Sequence, residues 1–512
     1  RQMCIRDRNL PEPKNININS YSSGLTRIVN SANLIKLSQN ETPLGPCPEA
    51  SKIIKKRLRT LSRYPDGNSN LLRDKIGKKF KLDKDQIIVG LDIGTTKICA
   101  IVGRKNEFGK LEILGMGKAV SDGVIRGIVT NIDKTVKAKE TALEEASTES
   151  EIEINVVNVG IAGQHIKSAV HHGSITRNTN DEITVEDVSR LANDMYRIVI
   201  PPGSEIIHVM PQDYLVDYEE GIKDPVGMSG VKLEADFHII TAQTNAINNI
   251  NKCIKRAGLK IENLILEPLA SSLSVLSEEE KEAGVCLVDI GGGTTDIAIF
   301  YDNIIRHTAV IPFGGNIVTS DIKQGCLVMH NQAELLKTKF GRAISDEANP
   351  NELVAIPGFR NRPAKEISIK NLAHIIEARM EEIVEMVHTE INSSGYHKKL
   401  AAGIVVTGGG SQLNNLKQLF EYMTGLDTRV GYPNEHLGKS KDENAKSPMY
   451  ATSVGLVLTG CKALDIRESN YKETVDFSDR KGKDKKNSNF FGNMLERTKE
   501  LLLDDIKDKQ EY

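Results

Sequence analysis

Val285-Cys-Leu-Val-Asp-Ile-Gly-Gly-Gly-Thr-Thr-Asp-Ile-Ala-Ile-Phe300 reads as a strand, a tight turn and a second strand. The flanking runs are rich in β-branched residues, and the glycines between them mark a turn. That turn carries Asp289, Gly291, Gly292, Gly293, Thr294 and Thr295. Glycines let a backbone approach a phosphate closely. Turn amides and threonine hydroxyls are suited to donate to phosphate oxygens. Asp289 at the strand end is placed as a carboxylate that holds Mg2+ through water.

An earlier stretch repeats the design. The apolar Ile87–Val89 runs into Gly90-Leu-Asp-Ile-Gly-Thr-Thr-Lys97, and Ile98-Cys-Ala-Ile-Val102 follows as a second strand. Asp92 takes the carboxylate position, Gly94 allows close approach, Thr95 and Thr96 offer donors, and Lys97 adds charge. Alone, this stretch reads equally as a plain hairpin turn. Two copies suggest a duplicated architecture gripping one polyphosphate from both sides. A third element, Gly403-Ile-Val-Val-Thr-Gly-Gly-Gly-Ser411, precedes the amphipathic Leu413–Met423. Gly408, Gly409 and Gly410 at a strand-to-helix turn suit close packing against a nucleoside.

Composition narrows the class. The 512 residues suggest two or more domains and a sizeable core. A net charge of −2 gives no bulk electrostatic case for nucleic acid, and the absence of Trp weakens any base-stacking reading. The seven cysteines are scattered without a CxxC pair, which fits a reducing cytoplasm rather than a zinc site or disulfide framework. No run of 18 apolar residues suggests a transmembrane helix.

The three glycine elements, in this order, resemble the actin, sugar kinase and heat-shock ATPase superfamily. The resemblance implies an α/β fold in which two domains close on ATP and Mg2+. Carried over by motif, Gly94, Thr95, Thr96, Lys97, Gly291, Gly292, Gly293, Thr294 and Thr295 line the phosphates. Asp92 and Asp289 face the Mg2+ through water, and Gly408, Gly409 and Gly410 border the nucleoside. Ala333-Glu-Leu-Leu-Lys337 follows a helical pattern with Glu334 and Lys337 on one face. That pair resembles the superfamily's purine and ribose contacts, and reads otherwise as a solvated ion pair. Glu267, before Pro268 in Leu264-Ile-Leu-Glu-Pro-Leu-Ala-Ser-Ser272, resembles the residue that orients the attacking water in bacterial actins. Its bland reading is a loop glutamate.

The interval between the first two loops contains His208-Val-Met-Pro-Gln-Asp-Tyr-Leu-Val-Asp-Tyr-Glu-Glu-Gly-Ile-Lys-Asp-Pro-Val-Gly-Met-Ser-Gly-Val-Lys232, which is similar to the signature of the FtsA family of bacterial cell-division proteins. Ser121-Asp-Gly-Val-Ile-Arg-Gly-Ile-Val-Thr-Asn131, Gly314-Gly-Asn-Ile-Val-Thr-Ser-Asp321 and Tyr450-Ala-Thr-Ser-Val-Gly-Leu456 carry the same resemblance. It covers residues 87–465 and extends to the tail. A sugar kinase would need a catalytic Asp in a substrate pocket, for which no motif stands out. A heat-shock chaperone would need a long substrate domain after Gly410, and MreB-like actins have a shorter interval between the loops.

The family resemblance implies an actin-like two-domain ATPase fold with an extra subdomain. Residues 87–164 would form the first part of subdomain IA, 165–242 the family-specific subdomain IC, and 243–465 the remaining core, with subdomain IIB near 320–400. The implied protein polymerises on the cytoplasmic face of the cell membrane at the septum. It would anchor filaments of the tubulin-like FtsZ and contact later division proteins through subdomain IC. Hydrolysis would be slow or regulatory; an active ATPase or small-molecule kinase is the rival. Subdomain IIB would receive the C-terminal peptide of FtsZ. Arg360, Arg362 and Lys365 cluster there in a Pro/Gly-containing stretch suited to an acidic peptide, or form a solvated basic loop.

Two ends read differently from this core. Residues 466–489 read as a disordered linker, with the basic Arg480-Lys-Gly-Lys-Asp-Lys-Lys486 within it. In 490–506, Phe490, Phe491, Met494, Leu495, Leu501 and Leu502 share one helical face. That amphipathic helix suits an anionic membrane surface, or docking on its own domain or a partner. At the other end, residues 1–8 resemble translated sequencing-adapter read-through. Residues 9–86 contain Lys36-Leu-Ser-Gln-Asn-Glu-Thr-Pro-Leu-Gly-Pro-Cys-Pro-Glu-Ala50 and Arg63-Tyr-Pro-Asp-Gly-Asn-Ser-Asn-Leu-Leu-Arg-Asp-Lys-Ile76, similar to the N-terminal part of histidinol-phosphate aminotransferase. That enzyme forms its Schiff base through a lysine much further along, so the segment is not expected to carry cofactor chemistry.

Overall fold

A computed structural model describes residue 52 and residues 87–479, apart from 107, 179, 359–362 and 439–442; side chains are described to residue 465. The chain divides between Lys84 and Asp85 into two units, and every element named below belongs to the second. The expectations for residues 1–8 and 9–86, of which only residue 52 is described, for Arg360 and Arg362, and for the tail beyond residue 479 lie outside the described residues.

The first half builds β1 (Ile88–Ile93), β2 (Lys97–Lys105), β3 (Leu111–Val120), the short pair β4 (Val124–Ile125) and β5 (Ile128–Val129), α1 (Ile132–Ser150) and β6 (Val156–Ile161). Next come β7 (Ile166–Thr176), α2 (Val185–Met195), β8 (Ser204–Val216), β9 (Glu219–Ile222) and β10 (Lys232–Gln243). The chain then returns through α3 (Thr244–Arg256), β11 (Lys260–Leu266) and α4 (Glu267–Val275). The second half contains α5 (Glu278–Ala283), β12 (Val285–Ile290), β13 (Thr295–Tyr301), β14 (Ile304–Ile311), α6 (Gly315–Gly325) and α7 (His330–Phe340). It ends with β15 (Leu353–Ile356), β16 (Lys365–Ser368), α8 (Ile369–Ser393), β17 (Ile404–Thr407), α9 (Leu416–Thr424), β18 (Thr428–Val430) and α10 (Ala451–Asp479).

The two main sheets are copies of one plan. One runs β3-β2-β1-β6-β11 and the other β14-β13-β12-β17-β18. In each, the first three strands form an antiparallel meander, and the central strand then pairs in parallel with a strand reached by a crossover. Central strands covered on both faces need apolar side chains at every position, not at alternate ones. Accordingly β1 and β12 are buried throughout, including Asp92 and Asp289 at their ends.

Each half has its own core. Around β12, the apolar faces of α8 and α9 bury Ile376, Ile383, Val387 and Phe420. Around β1, α1 and α3 bury Ala142, Leu143, Ile250 and Ile254. The β7–β10 segment makes a separate sheet, in the order β7-β10-β8-β9, with α2 over its own core of Leu191, Tyr214 and Phe237. α2 starts on a capping box, Thr184 with Asp187, which satisfies the first-turn amides. α4 and α10 cross where Gly455 meets Ala270; a Cβ on Gly455 would sit 1.9 Å from the Ala270 carbonyl oxygen.

Two boundaries differ from the sequence reading. The helix after the third glycine element starts at Leu416, because a 3-10 turn over Gly409–Gln412 takes up the slack after β17. α10 continues to Asp479, past residue 466 where the linker is expected. No Pro or Gly interrupts the chain between Cys461 and Asp479, so helix propagation meets no breaker there.

Candidate functional site

The β1–β2 turn and the β12–β13 turn face each other closely. A Cβ on Gly292 would lie 2.3 Å from Thr96 Cγ2, and one on Gly293 would lie 2.6 Å from Thr95 Oγ1. The second turn is braced from behind. The Gly315 amide donates to the Gly291 carbonyl at 2.9 Å, and the Asn316 amide to the Gly292 carbonyl at 2.8 Å. The two halves of the duplicated fold thus present a glycine turn each to one cleft.

Four carboxylates gather beneath these turns. Asp92 accepts from Ser453 Oγ at 3.1 Å. Asp289 accepts from Ser271 Oγ at 2.7 Å and from Thr452 Oγ1 at 3.2 Å. Asp296 accepts from Thr294 Oγ1 at 2.9 Å, while its other oxygen is buried without a partner among the described residues. Glu267 opens α4, and its side chain lies over Gly160, where a Cβ would sit 3.1 Å from Oε1. Desolvation raises the pKa of each, and the neighbouring carboxylates raise Glu267 further. Asp296 is pushed up to about 7. Lys97 is the ammonium of this cluster; it donates to the Met449 carbonyl and stands 4.3 Å from the Tyr450 ring centroid. The nest is short of positive charge, which is the electrostatic condition for taking up a cation. Among the described residues, no group of three or more His, Cys, Asp or Glu is placed to hold a metal by itself.

The remaining expected residues fall into three groups. Thr95 and Thr96 lie at the junction of the turns, with Gly94 beside them; Thr95 Oγ1 already accepts the Gly127 amide at 3.1 Å. Thr295 is turned away: it is fully buried and its hydroxyl donates to the Phe313 carbonyl at 2.9 Å, which corrects the expectation of a phosphate donor there. Strand alternation explains it, since Thr294 and Thr295 point to opposite faces.

Gly408 and Gly410 pack onto β12. At φ +83°, Gly408 sits where a Cβ would be 2.3 Å from Asp289 Oδ1, and a Cβ on Gly410 would be 2.4 Å from Ile290 Cγ2. Gly409 alone of the three faces open space. Glu334 and Lys337 pair at 2.8 Å but are more than a surface ion pair. Lys337 Nζ also donates to the Gly315 carbonyl at 3.0 Å, and Thr319 donates to Glu334 at 2.5 Å, which ties α7 to the start of α6 behind the second turn. Lys365 stands apart from this cleft, donating to the Cys326 carbonyl at 2.6 Å.

Sequence reasoning missed Ser271, Thr452 and Ser453, which hold the carboxylates. Their signal was small hydroxyl residues near the starts of two helices, Ser271 three positions after Pro268 and Thr452-Ser453 directly after Ala451.

Comparison with known proteins gives a consistent result. The family model "Cell division protein FtsA" matches residues 286–455, and "SHS2 domain inserted in FTSA" matches residues 163–241, the β7–β10 segment. Cell division protein FtsA of Pseudomonas aeruginosa is 42% identical over 375 residues, covering 73% of this chain and 89% of the relative. The proteins of the same name from Neisseria meningitidis serogroup B and Escherichia coli K12 are 41% and 37% identical, covering 73% and 78% of this chain and 89% and 96% of theirs. Among solved structures, a chain of the PilM-PilN type IV pilus biogenesis complex superposes with a TM-score of 0.53 at 15% identity, over 73% of this chain and 98% of that one. At that identity the likeness concerns the fold, which is that of the actin-like ATPases. The identity to the curated relatives, sustained over nearly their whole length, makes this chain a member of the cell division protein FtsA family.

Proposed function

We propose that this chain is an ATP-binding, actin-like scaffold of cell division. The observation that carries this reading is the pair of facing glycine turns above a nest of four carboxylates with Lys97 as its ammonium. The residues present fit Mg·ATP. Amides of 94–96 and 291–294, with the Thr96 hydroxyl, would hold phosphates; Asp92 and Asp289 would hold Mg2+ through water. Gly409 and the Glu334–Lys337 pair would border the nucleoside. Bound Mg2+ would supply the positive charge that keeps these carboxylates ionised. Glu267 would orient the attacking water. Burial and the neighbouring carboxylates raise its pKa, and a bound cation would lower it again, leaving an ionised carboxylate able to accept a hydrogen bond from water. Binding of Mg·ATP by the full chain, measured by calorimetry, tests the site; no heat of binding would reject it.

The scaffold reading extends to partners. Filaments of this chain would sit at the septum on the cytoplasmic face of the membrane. They would tether FtsZ through the 320–400 region, with Arg360, Arg362 and Lys365 facing its acidic C-terminal peptide, and recruit later division proteins through the 163–241 insert. The apolar face of Phe490, Phe491, Met494, Leu495, Leu501 and Leu502 would bind anionic lipid weakly per copy and avidly when arrayed in a polymer. Co-sedimentation with FtsZ and anionic vesicles should fail for Phe491→Glu/Leu495→Glu on the vesicle arm, and for charge reversal at 360, 362 and 365 on the FtsZ arm. A kinase acting on a small substrate is the rival. Sugar-stimulated ADP release would favour it.

A further inference from the structure

The two-residue turn Arg126-Gly127 joins β4 to β5 with both φ angles positive, 49° and 75°. Turns of this type favour Asn or Gly at their first position, and an arginine held there is backbone-strained. The turn is fixed on three sides. The Gly127 amide donates to Thr95 Oγ1 of the first glycine turn at 3.1 Å. Arg126 Cα is 3.1 Å from where a Cβ on Gly293 of the second turn would be. A Cβ on Gly127 would lie 2.5 Å from the Ala162 carbonyl oxygen, at the edge of the insert.

The Arg126 guanidinium lies 5.9 Å from the Phe313 ring centroid, just before the Gly314-Gly315 segment that braces the second turn. It is exposed and makes no ion pair or side-chain hydrogen bond among the described residues. The other cations near the turns are committed: Lys97 to Met449, and Lys337 to Glu334, Thr319 and Gly315. Lys337 reaches the second turn on its Gly291 side, through Gly315, whereas Arg126 meets it on the Gly293 side. If the nucleoside lies toward Lys337 and Gly409, the phosphate nearest Arg126 is the one furthest from the base.

From this geometry we infer that Arg126 binds the terminal phosphate of a nucleoside triphosphate and discriminates it from the diphosphate. The inference rests on the nucleotide reading of the cleft. Guanidinium–phosphate contacts are charge-assisted and often bidentate, so they give both affinity and geometry. The strain in the turn is consistent with a functional position.

Calorimetric titration of the full chain with Mg·ATP and with Mg·ADP tests it on wild type, Arg126→Gly and Arg126→Lys. Gly suits the left-handed backbone, so Arg126→Gly removes the guanidinium without adding strain. The expected result is ATP affinity lowered about ten- to a hundredfold in Arg126→Gly, with ADP affinity within about twofold of wild type. Arg126→Lys should retain part of the ATP preference. Equal loss for both nucleotides would make the turn merely structural, and no loss for either would remove Arg126 from the site; both overturn the inference while leaving the cleft reading intact. Failure of the wild type to bind either nucleotide would overturn the cleft reading and the inference together.

Discussion

Ser453 donates its hydroxyl hydrogen to Asp92 at 3.1 Å, across 361 positions of chain. Its neighbour Thr452 donates to Asp289 at 3.2 Å. The start of α10 therefore holds one carboxylate from each half of the duplicated fold.

Nucleotide affinity should report the Asp289 position directly. Asp289→Ala removes a carboxylate and the hydrogen bonds it accepts from Ser271 and Thr452. Charge-assisted contacts are worth about 1.5–3 kcal/mol, so Mg·ATP should bind at least about tenfold more weakly by calorimetry. Unchanged affinity would remove Asp289 from the site.

Stability without nucleotide should fall as pH rises from about 4 toward about 7, in part because of Asp296. A carboxyl whose folded pKa is raised keeps its proton in the folded chain where the unfolded chain has lost it, so the folded state is favoured at low pH. The effect is at most about 4 kcal/mol. Urea midpoints for Asp296→Asn should show a shallower decline over that range than wild type. The same slope in both would assign the pH dependence elsewhere.

Lys139 is fully buried in α1 and donates to the Cys253 carbonyl of α3, and burial lowers its pKa to about 8. The unfolded chain keeps this proton up to the ordinary lysine range, so wild-type stability should gain from pH 8 to about 10.5 as the unfolded state alone binds it. Lys139→Met should therefore be more stable than wild type at pH 7, by about 1–3 kcal/mol, with the difference narrowing by pH 10. Thermal or urea unfolding at the two pH values measures it; a difference that widens with pH would contradict the assignment.

The insert is tied to β14 of the second half by Arg306 to Asp213 at 2.5 and 3.2 Å, with Gln212 donating to the Ile305 carbonyl at 2.7 Å. Arg306 is buried at its head and bidentate, unlike a typical surface pair. A double-mutant cycle over Arg306→Ala and Asp213→Ala should give a coupling of about 1–2 kcal/mol in urea unfolding. Coupling near zero would make the pair incidental.

The sequence alone determined the two strand-turn-strand glycine turns, the order of the three glycine elements and the interval that marks the family. These are local: a strand end, a tight turn and a glycine next to a backbone leave their requirements in adjacent residues. It also placed Asp92 and Asp289, because a carboxylate ending an apolar strand stands out from its neighbours. What only the tertiary structure decided was who meets these groups. Ser271, Thr452 and Ser453 are ordinary helix hydroxyls until packing brings them onto the carboxylates. Thr294 and Thr295 look alike in sequence, and the strand's alternation sends one to Asp296 and the other to Phe313. Gly408 reads as a nucleoside-facing glycine, yet it is required by the approach of Asp289. Lys139 is closed over by the fold, which nothing local in the sequence marks. Contacts between residues hundreds of positions apart leave no periodicity or spacing in the chain, since the physical cause is the packing of one surface on another.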